Sequence, residues 1–317
     1  MRTEALLLLA SGCASALLCA ALIPVLRKAK AGQYILGYVR EHEGKSGTPT
    51  MGGLAFLCAA ALVALPFGLY ADKRVLVAVT FGIAYAAVGF LDDFLKARFR
   101  RNLGLRAYQK VAFQLGIALI AGFYCYFGGM TTLRVPFSSA ELDIGWGIVP
   151  LAAFAFVATT NCVNLTDGLD GLAASVASAY FAVLAALIFS FSPAEDAALA
   201  RMSLVLCGVL AGYLLFNTYR ASLFMGDTGS LSVGGFVAAL SAFSGNLLYI
   251  AAVGVMFVLS GISVIAQVIY YKRTKKRLFL MAPLHHHFQQ KGCAESKIVF
   301  AYTAVTAAAG LLCLLFV

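Results

Sequence analysis

Charge is scarce in this chain. Asp, Glu, Lys and Arg make up 12 % of its 317 residues, about half the ~25 % carried by soluble domains. Hydrophobic residues make up 62 % and come in runs near 20, the length that crosses a ~30 Å hydrocarbon core. The expected class is therefore all-α: a polytopic integral membrane protein forming one membrane domain over 1–317. A cleavable signal of the usual kind is missing, and the first apolar run, 5–26, is long enough to stay as a span. Paired cysteines are missing too. The eight cysteines lie mostly inside apolar runs with no CxxC pair, so they read as small apolar packing residues rather than disulfides or zinc ligands. The net charge of +10 would suit a nucleic acid, but no soluble domain carries a basic stripe. Cationic loops beside a membrane are the commoner cause, and no nucleic-acid partner is expected.

About ten apolar segments can be drawn, at 5–26, 51–70, 75–91, 111–130, 147–164, 172–192, 202–216, 231–244, 247–271 and 298–317. The last two before the C-terminal one are kept apart because 231–271 as a single helix would run about 60 Å. Ser244-Gly245-Asn246 between them reads as a tight turn. With ten spans the loops alternate sides. The set 27–50, 92–110, 165–171, 217–230 and 272–297 holds 19 of the 24 Lys and Arg residues. The positive-inside rule makes that set cytoplasmic and places both termini outside. Every polar constellation in the chain falls in the same set.

Histidine is as sparse as charge. His42 apart, the chain holds only His285, His286 and His287, side by side in MAPLHHHFQQKG. Successive side chains on a helix point ~100° apart, so the three cannot share one ion. No cysteine pair accompanies them for zinc. They read better as hydrogen-bond donors or acid–base groups beside a phosphate site, with Pro283 keeping the start of the segment irregular.

The carboxylates carry the other signals. Asp92 and Asp93 close an apolar run, with Lys96 just beyond; a solvated helix end and an oxygen-ligand Mg²⁺ site both fit them. In Asn164-Leu-Thr-Asp-Gly-Leu-Asp-Gly171, Asp167 and Asp170 share a face if helical, and the glycines allow close backbone approach to a ligand. Phe224-Met-Gly-Asp-Thr-Gly-Ser230 resembles a phosphate-cradling turn before a helix. Asp227 there would repel phosphate unless a cation intervened, which again points to Mg²⁺. Phe224 suits either base stacking or a membrane interface. Gly47-Thr-Pro-Thr-Met-Gly-Gly53, preceded by Lys45, is a turn into a span, and the basic stretch 96–110 suits anionic membrane lipids. Together these residues fit metal-assisted phosphoryl transfer between one soluble and one lipid substrate.

GTPTMGG, LDD-F-LK, NLTDGLDGL, GDTGS and PLHHHF, in this order, resemble the phospho-N-acetylmuramoyl-pentapeptide-transferases of the polyprenyl-phosphate N-acetylhexosamine-1-phosphate transferase superfamily. The resemblance covers essentially the whole chain. It implies transfer of phospho-MurNAc-pentapeptide from UDP-MurNAc-pentapeptide to undecaprenyl phosphate, with Mg²⁺, forming lipid I and UMP at the cytoplasmic face of the bacterial plasma membrane. It also implies roles. Asp92 would be base or orienter for the lipid phosphate, and Asp227 would hold the metal, with Asp93 supporting it as a second metal residue. Asn164 and Asp167 would lie at the nucleotide phosphates, and Gly168, Leu169, Asp170, Asn217 and Phe224 in the uridine pocket. Lys45, Lys96 and Lys110 would lie near the phosphates, and His285, His286 and His287 at the active site. A homodimer is compatible with such a chain. One departure is visible: Gln289 stands after HHHF, where the family commonly has Glu.

Two other readings compete. A sister transferase would move GlcNAc-1-phosphate from UDP-GlcNAc to the same kind of lipid. A secondary transporter would keep its carboxylates near the midplane within repeated halves, whereas these lie at loop boundaries on one side.

Overall fold

A computed structural model describes residues 2–28, 47–99 and 104–317. Twelve helices account for most of them: α1 Arg2–Lys28, α2 Gly53–Ala64, α3 Lys73–Phe99, α4 Ala107–Phe127, α5 Ile148–Thr166, α6 Leu172–Phe191, α7 Ala197–Asn217, α8 Gly226–Phe243, α9 Tyr249–Val253, α10 Val255–Thr274, α11 Leu284–Gln290 and α12 Glu295–Leu314. Eight of them (α1, α3, α4, α5, α6, α7, α10 and α12) are long and apolar enough to cross a membrane. The segments expected at 51–70 and 231–244 form the shorter α2 and α8.

Three departures from the sequence reading matter. The helix expected to stop at residue 91 continues to Phe99, so Asp92, Asp93 and Lys96 stand on α3 rather than in a loop. Asp167 to Gly171 form turns instead of a helical face, because α5 ends at Thr166. Residues 132–143 form an unforeseen hairpin, β1 (Thr132–Arg134) against antiparallel β2 (Glu141–Asp143). Arg134 secures it by donating to Ser244 O at 2.7 Å and Ser192 Oγ at 2.9 Å. The expected break after α8 is present, with Gly245 at φ +72°, and the ninth segment divides again at Gly254 between α9 and α10.

Helix α8 is the axis of the bundle. Every residue from Thr228 to Phe243 is buried, and glycine, alanine and serine make up more than half of the helix. Apolar lipid gives helices no hydrophobic reason to associate, so close van der Waals packing between small residues has to hold them. Gly82 of α3 packs on the Phe236 ring, and Tyr85 packs on Gly235. Gly89 lies directly against the backbone of Asp227 and Thr228. On the other sides Gly234 meets the α5 backbone at Thr160, and Gly53 of α2 meets Gly229. The start of α8 is thereby clamped between the end of α3 and the start of α2. The large apolar side chains of α1, α4, α10 and α12 that face outward, such as Leu17, Phe123, Ile265 and Phe300, suit a lipid environment.

Candidate active site

The polar motifs meet at one end of the bundle, around the first turn of α8. Asp93 reaches across from α3 and caps that turn. Its Oδ1 accepts from the Asp227 amide at 3.2 Å, and its Oδ2 accepts from the Thr228 amide at 2.9 Å and the Thr228 hydroxyl at 2.7 Å. The first amides of a helix have no partner within it, and a carboxylate there also opposes the positive end of the dipole. Gly226, at φ +70°, leaves room for the Asp93 carboxylate, since a Cβ at this position would strike it.

Asp227 then projects into a cluster of opposite charge. Its Oδ2 pairs with Lys110 Nζ and, at 3.4 Å, with Lys96 Nζ. Its Oδ1 accepts from Asn164 Nδ2 at 3.0 Å, and the same amide donates to Ser230 Oγ at 2.8 Å. The fully buried Asp92 places Oδ2 at 2.6 Å from Lys96 Nζ and 2.9 Å from Lys110 Nζ, while Oδ1 accepts from the Leu105 amide at 2.7 Å. Two ammonium groups thus bridge Asp92 and Asp227. Both lysines donate hydrogen bonds to Asp227 Oδ2, whereas their contacts with Asp92 Oδ2 are charge pairings without good hydrogen-bond geometry.

Asp92, Asp93 and Asp227 offer oxygens that all lie within 4.8 Å of one another. An all-oxygen donor set of this size suits a hard divalent cation such as Mg²⁺. All three carboxylates already have polar partners: Asp92 accepts from the Leu105 amide and Asp227 from Asn164, and both face the two lysines. Both Asp93 oxygens already accept hydrogen bonds from α8, although each retains a further lone pair.

The α5–α6 turn forms the next wall. Burial, followed by the charges of Asp227, Asp93 and Asp170, pushes the Asp167 carboxyl up to about 8. That shift favours the protonated carboxyl, the form that donates to phosphate. Asp170 Oδ2 accepts from the Ala221 amide at 3.0 Å. Asn217 accepts from the Gly171 amide at 3.1 Å and donates to Leu223 O at 2.9 Å. Leu169 is buried in the core. Of the residues expected in the uridine pocket, Leu169, Asp170 and Asn217 thus build the wall, while Gly168 and Phe224 stay partly exposed. Phe224 is held through its backbone, whose amide donates to Pro49 O and whose carbonyl accepts from Gly52 N, both at 2.8 Å. This short pairing brings the GTPTMGG turn to the site. Lys45 lies outside the described residues.

The histidines close the opposite side from the short helix α11. His285 is fully buried, and its Nε2 lies against Gly168, as does that of His286. The His285 and His286 rings are 4.4 Å apart, and His287 Nδ1 accepts from the Leu280 amide at 3.1 Å. The buried Ser263 hydroxyl of α10 accepts from the Leu284 amide at 3.0 Å and anchors the start of α11. Burial first, and the neighbouring His286 ring second, hold His285 down to about 3. Only the unfolded chain takes up this proton between about pH 6.5 and 3, so the contribution of His285 to stability is complete above 6.5 and is lost as pH falls. The expected ¹⁵N signals of His285 are constant from pH 8 to 5; a midpoint near 6.5 would contradict its burial.

The sequence reading did not single out Thr228, Ser230 or Ser263. Thr228 and Ser230 were legible in principle, at one and three residues from Asp227 on the start of a helix. Ser263 had no such marker.

Comparison with known proteins identifies the family. A family model described as glycosyl transferase family 4 matches residues 75–245. A phospho-N-acetylmuramoyl-pentapeptide-transferase signature matches residues 45–57, the GTPTMGG segment. Curated proteins with the same transferase name are similar over nearly the whole chain. The protein from Clostridium botulinum (strain Alaska E43 / Type E3) is 41 % identical, covering 90 % of this chain and 87 % of its own. The one from Synechococcus sp. (strain JA-3-3Ab) is 44 % identical over 92 % and 86 %. The one from Clostridioides difficile (strain 630) is 38 % identical over 90 % and 88 %.

Proposed function

The chain belongs to the phospho-N-acetylmuramoyl-pentapeptide-transferase family, and we propose that it moves phospho-MurNAc-pentapeptide from UDP-MurNAc-pentapeptide to undecaprenyl phosphate. The observation that carries this reading is the meeting of Asp92, Asp227, Lys96, Lys110 and Asn164 at the buried start of α8. An oxygen of the lipid phosphate attacks the phosphorus attached to the sugar. The bond from that phosphorus to the bridging oxygen breaks, UMP leaves with that oxygen, and lipid I carries the new diphosphate.

Asp227 would hold Mg²⁺ together with Asp92 and Asp93, and Asp93 also fixes the position of Asp227 through its backbone amide. When bound, the cation neutralises charge on the diphosphate. Lys96 and Lys110, poised between the two carboxylates, bind phosphate oxygens, and Asn164 orients Asp227. Asp92, in contact with both ammonium groups, acts as orienter of the lysines. The lipid phosphate needs no base, because its oxyanion is already nucleophilic once aligned. Protonated Asp167 donates to the nucleotide phosphates. Gly168 and Phe224 border the uridine, with the ring of Phe224 stacking on uracil. The active site faces the cytoplasm, where the positive loops lie, and the protein resides in the bacterial plasma membrane.

Donor choice tests the reading against the sister reaction. The expected result is UMP release from UDP-MurNAc-pentapeptide with undecaprenyl phosphate, and none from UDP-GlcNAc. The reverse preference overturns the proposal. Phosphoryl-aspartate trapped with donor alone would overturn direct attack.

A further inference from the structure

Behind the histidines lies a relay that none of the roles above employs. His286 Nδ1 is 3.0 Å from Gln289 Oε1, and Gln289 Nε2 donates to Glu295 Oε1 at 3.1 Å. Glu295 stands in the first turn of α12, so the relay also ties the histidine helix to the next one.

The chemistry of the three groups fixes where the protons sit. An ionised carboxylate only accepts hydrogen bonds, and of the two ends of a glutamine amide only the nitrogen donates. Glu295 therefore selects the orientation of the Gln289 amide, with nitrogen toward itself and oxygen toward His286. That oxygen only accepts, so the imidazole atom facing it must carry a proton. In a neutral histidine a proton on Nδ1 leaves the lone pair on Nε2. His286 Nε2 is the atom turned toward the Asn164–Gly171 motif, where a Cβ placed on Gly168 would lie 2.9 Å from it.

We propose that Gln289, oriented by Glu295, is a positioning residue that holds His286 as the Nδ1-protonated tautomer and so presents Nε2 as a hydrogen-bond acceptor at the Gly168 turn. Neutral His286 then recognises a donor on the substrate, a hydroxyl or an amide N–H, rather than a phosphate oxygen. The glutamate common at this position in the family would also accept from Nδ1, but would add a charge beside the ring. Glutamine supplies the acceptor without the charge. The substrate side of this inference rests on the transferase reading; the tautomer does not.

The test uses the full chain in lipid nanodiscs, labelled with ¹⁵N-histidine and recorded near pH 8. The His286 signals are assigned by their loss in His286→Asn. In the wild type, the expected result is a protonated, pyrrole-type Nδ1 and a pyridine-type Nε2. Gln289→Met keeps the side-chain length without the acceptor and is expected to move the ring toward the Nε2-protonated form. Gln289→Glu restores the wild-type pattern. In steady-state assays Gln289→Met raises KM for the nucleotide donor about fivefold to tenfold, the worth of one hydrogen bond, with a smaller change in kcat. Gln289→Glu stays within about twofold of wild type if the tautomer is what counts. An Nε2-protonated His286 in the wild type overturns the proposal, whatever the variants do. An unchanged tautomer in folded Gln289→Met overturns it equally. If the tautomers behave as expected and KM does not, the substrate assignment fails while the relay stands.

Discussion

Asparagine in place of Asp227 is expected to lower turnover about a thousandfold or more, at the upper end of what removing one charge-stabilising group costs an enzyme. The substitution keeps the shape of the side chain and the backbone amide that Asp93 accepts from, so α8 still starts at the same place. What disappears is the charge. Lys96 and Lys110 lose one of the two carboxylates they bridge, and a hard cation loses one of its three candidate carboxylates. Asn164, which donates to Oδ1, then faces an amide whose orientation is no longer dictated by charge. The comparison that isolates the effect is kcat for wild type, Asp227→Asn and Asn164→Ala, each with its thermal midpoint. The account expects Asn164→Ala to be the milder lesion, because it removes an orienting contact and leaves every charge in place. A residual activity in Asp227→Asn within tenfold of wild type would remove Asp227 from the chemistry.

The second large effect is expected at a residue with no functional group. Gly89 lies one turn before Asp92 and Asp93 on α3, where a Cβ would strike the backbone of Asp227 and Thr228. Backbone cannot rotate out of the way as a side-chain tip can, so alanine here forces α3 and α8 apart. Overpacking of this kind typically costs about 1–3 kcal/mol of stability. The functional cost is expected to be larger. Asp92 rides on α3 and Asp227 on α8, so the separation falls directly on the two carboxylates that the lysines bridge. A misplacement of about 1 Å can cost about a hundredfold in rate. Gly82→Ala is the control. It lies two turns farther from the site and meets the Phe236 ring, a side chain that can shift. The expected pattern is comparable losses in thermal midpoint for the two variants, with a far greater loss of kcat in Gly89→Ala. Equal activities in both would show that helix spacing does not set the geometry of the site.

The same two helices show what sequence can and cannot disclose. The motifs were visible because polar groups at the ends of apolar runs have to be accounted for, by water, by a partner or by a ligand. The end of α3 was not visible. Asp92 and Asp93 look like a stop, yet the helix runs on to Phe99 because Lys96, one turn later, neutralises Asp92 and Asp93 is taken up by α8. That second interaction exists only because Gly89 lets α8 approach, a tertiary fact that no local pattern records. The division of labour in the proposed uridine wall was hidden for a similar reason. Asp170 and Asn217 have the chemistry of ligand-binding residues, but their hydrogen bonds go to the backbone of a neighbouring segment. The hairpin at 132–143 carries three-residue strands, too short for an alternation signal, and is held by Arg134 reaching to Ser192 and Ser244. The histidines were recognised as a group, but burial sets His285 apart from its neighbours.

A cation held by the carboxylates at the start of α8 is the central claim, and binding of Mn²⁺ followed by electron paramagnetic resonance tests it most directly. Mn²⁺ accepts the same oxygen ligands as Mg²⁺ and reports its own coordination. In the presence of the nucleotide donor, wild type is expected to bind about one ion per chain. Asp227→Asn is expected to weaken that binding by about tenfold to a hundredfold or more, at least the loss that altering the surroundings of a metal ligand brings, and Asp92→Asn should weaken it too. Binding of equal strength in wild type and both variants would contradict the account.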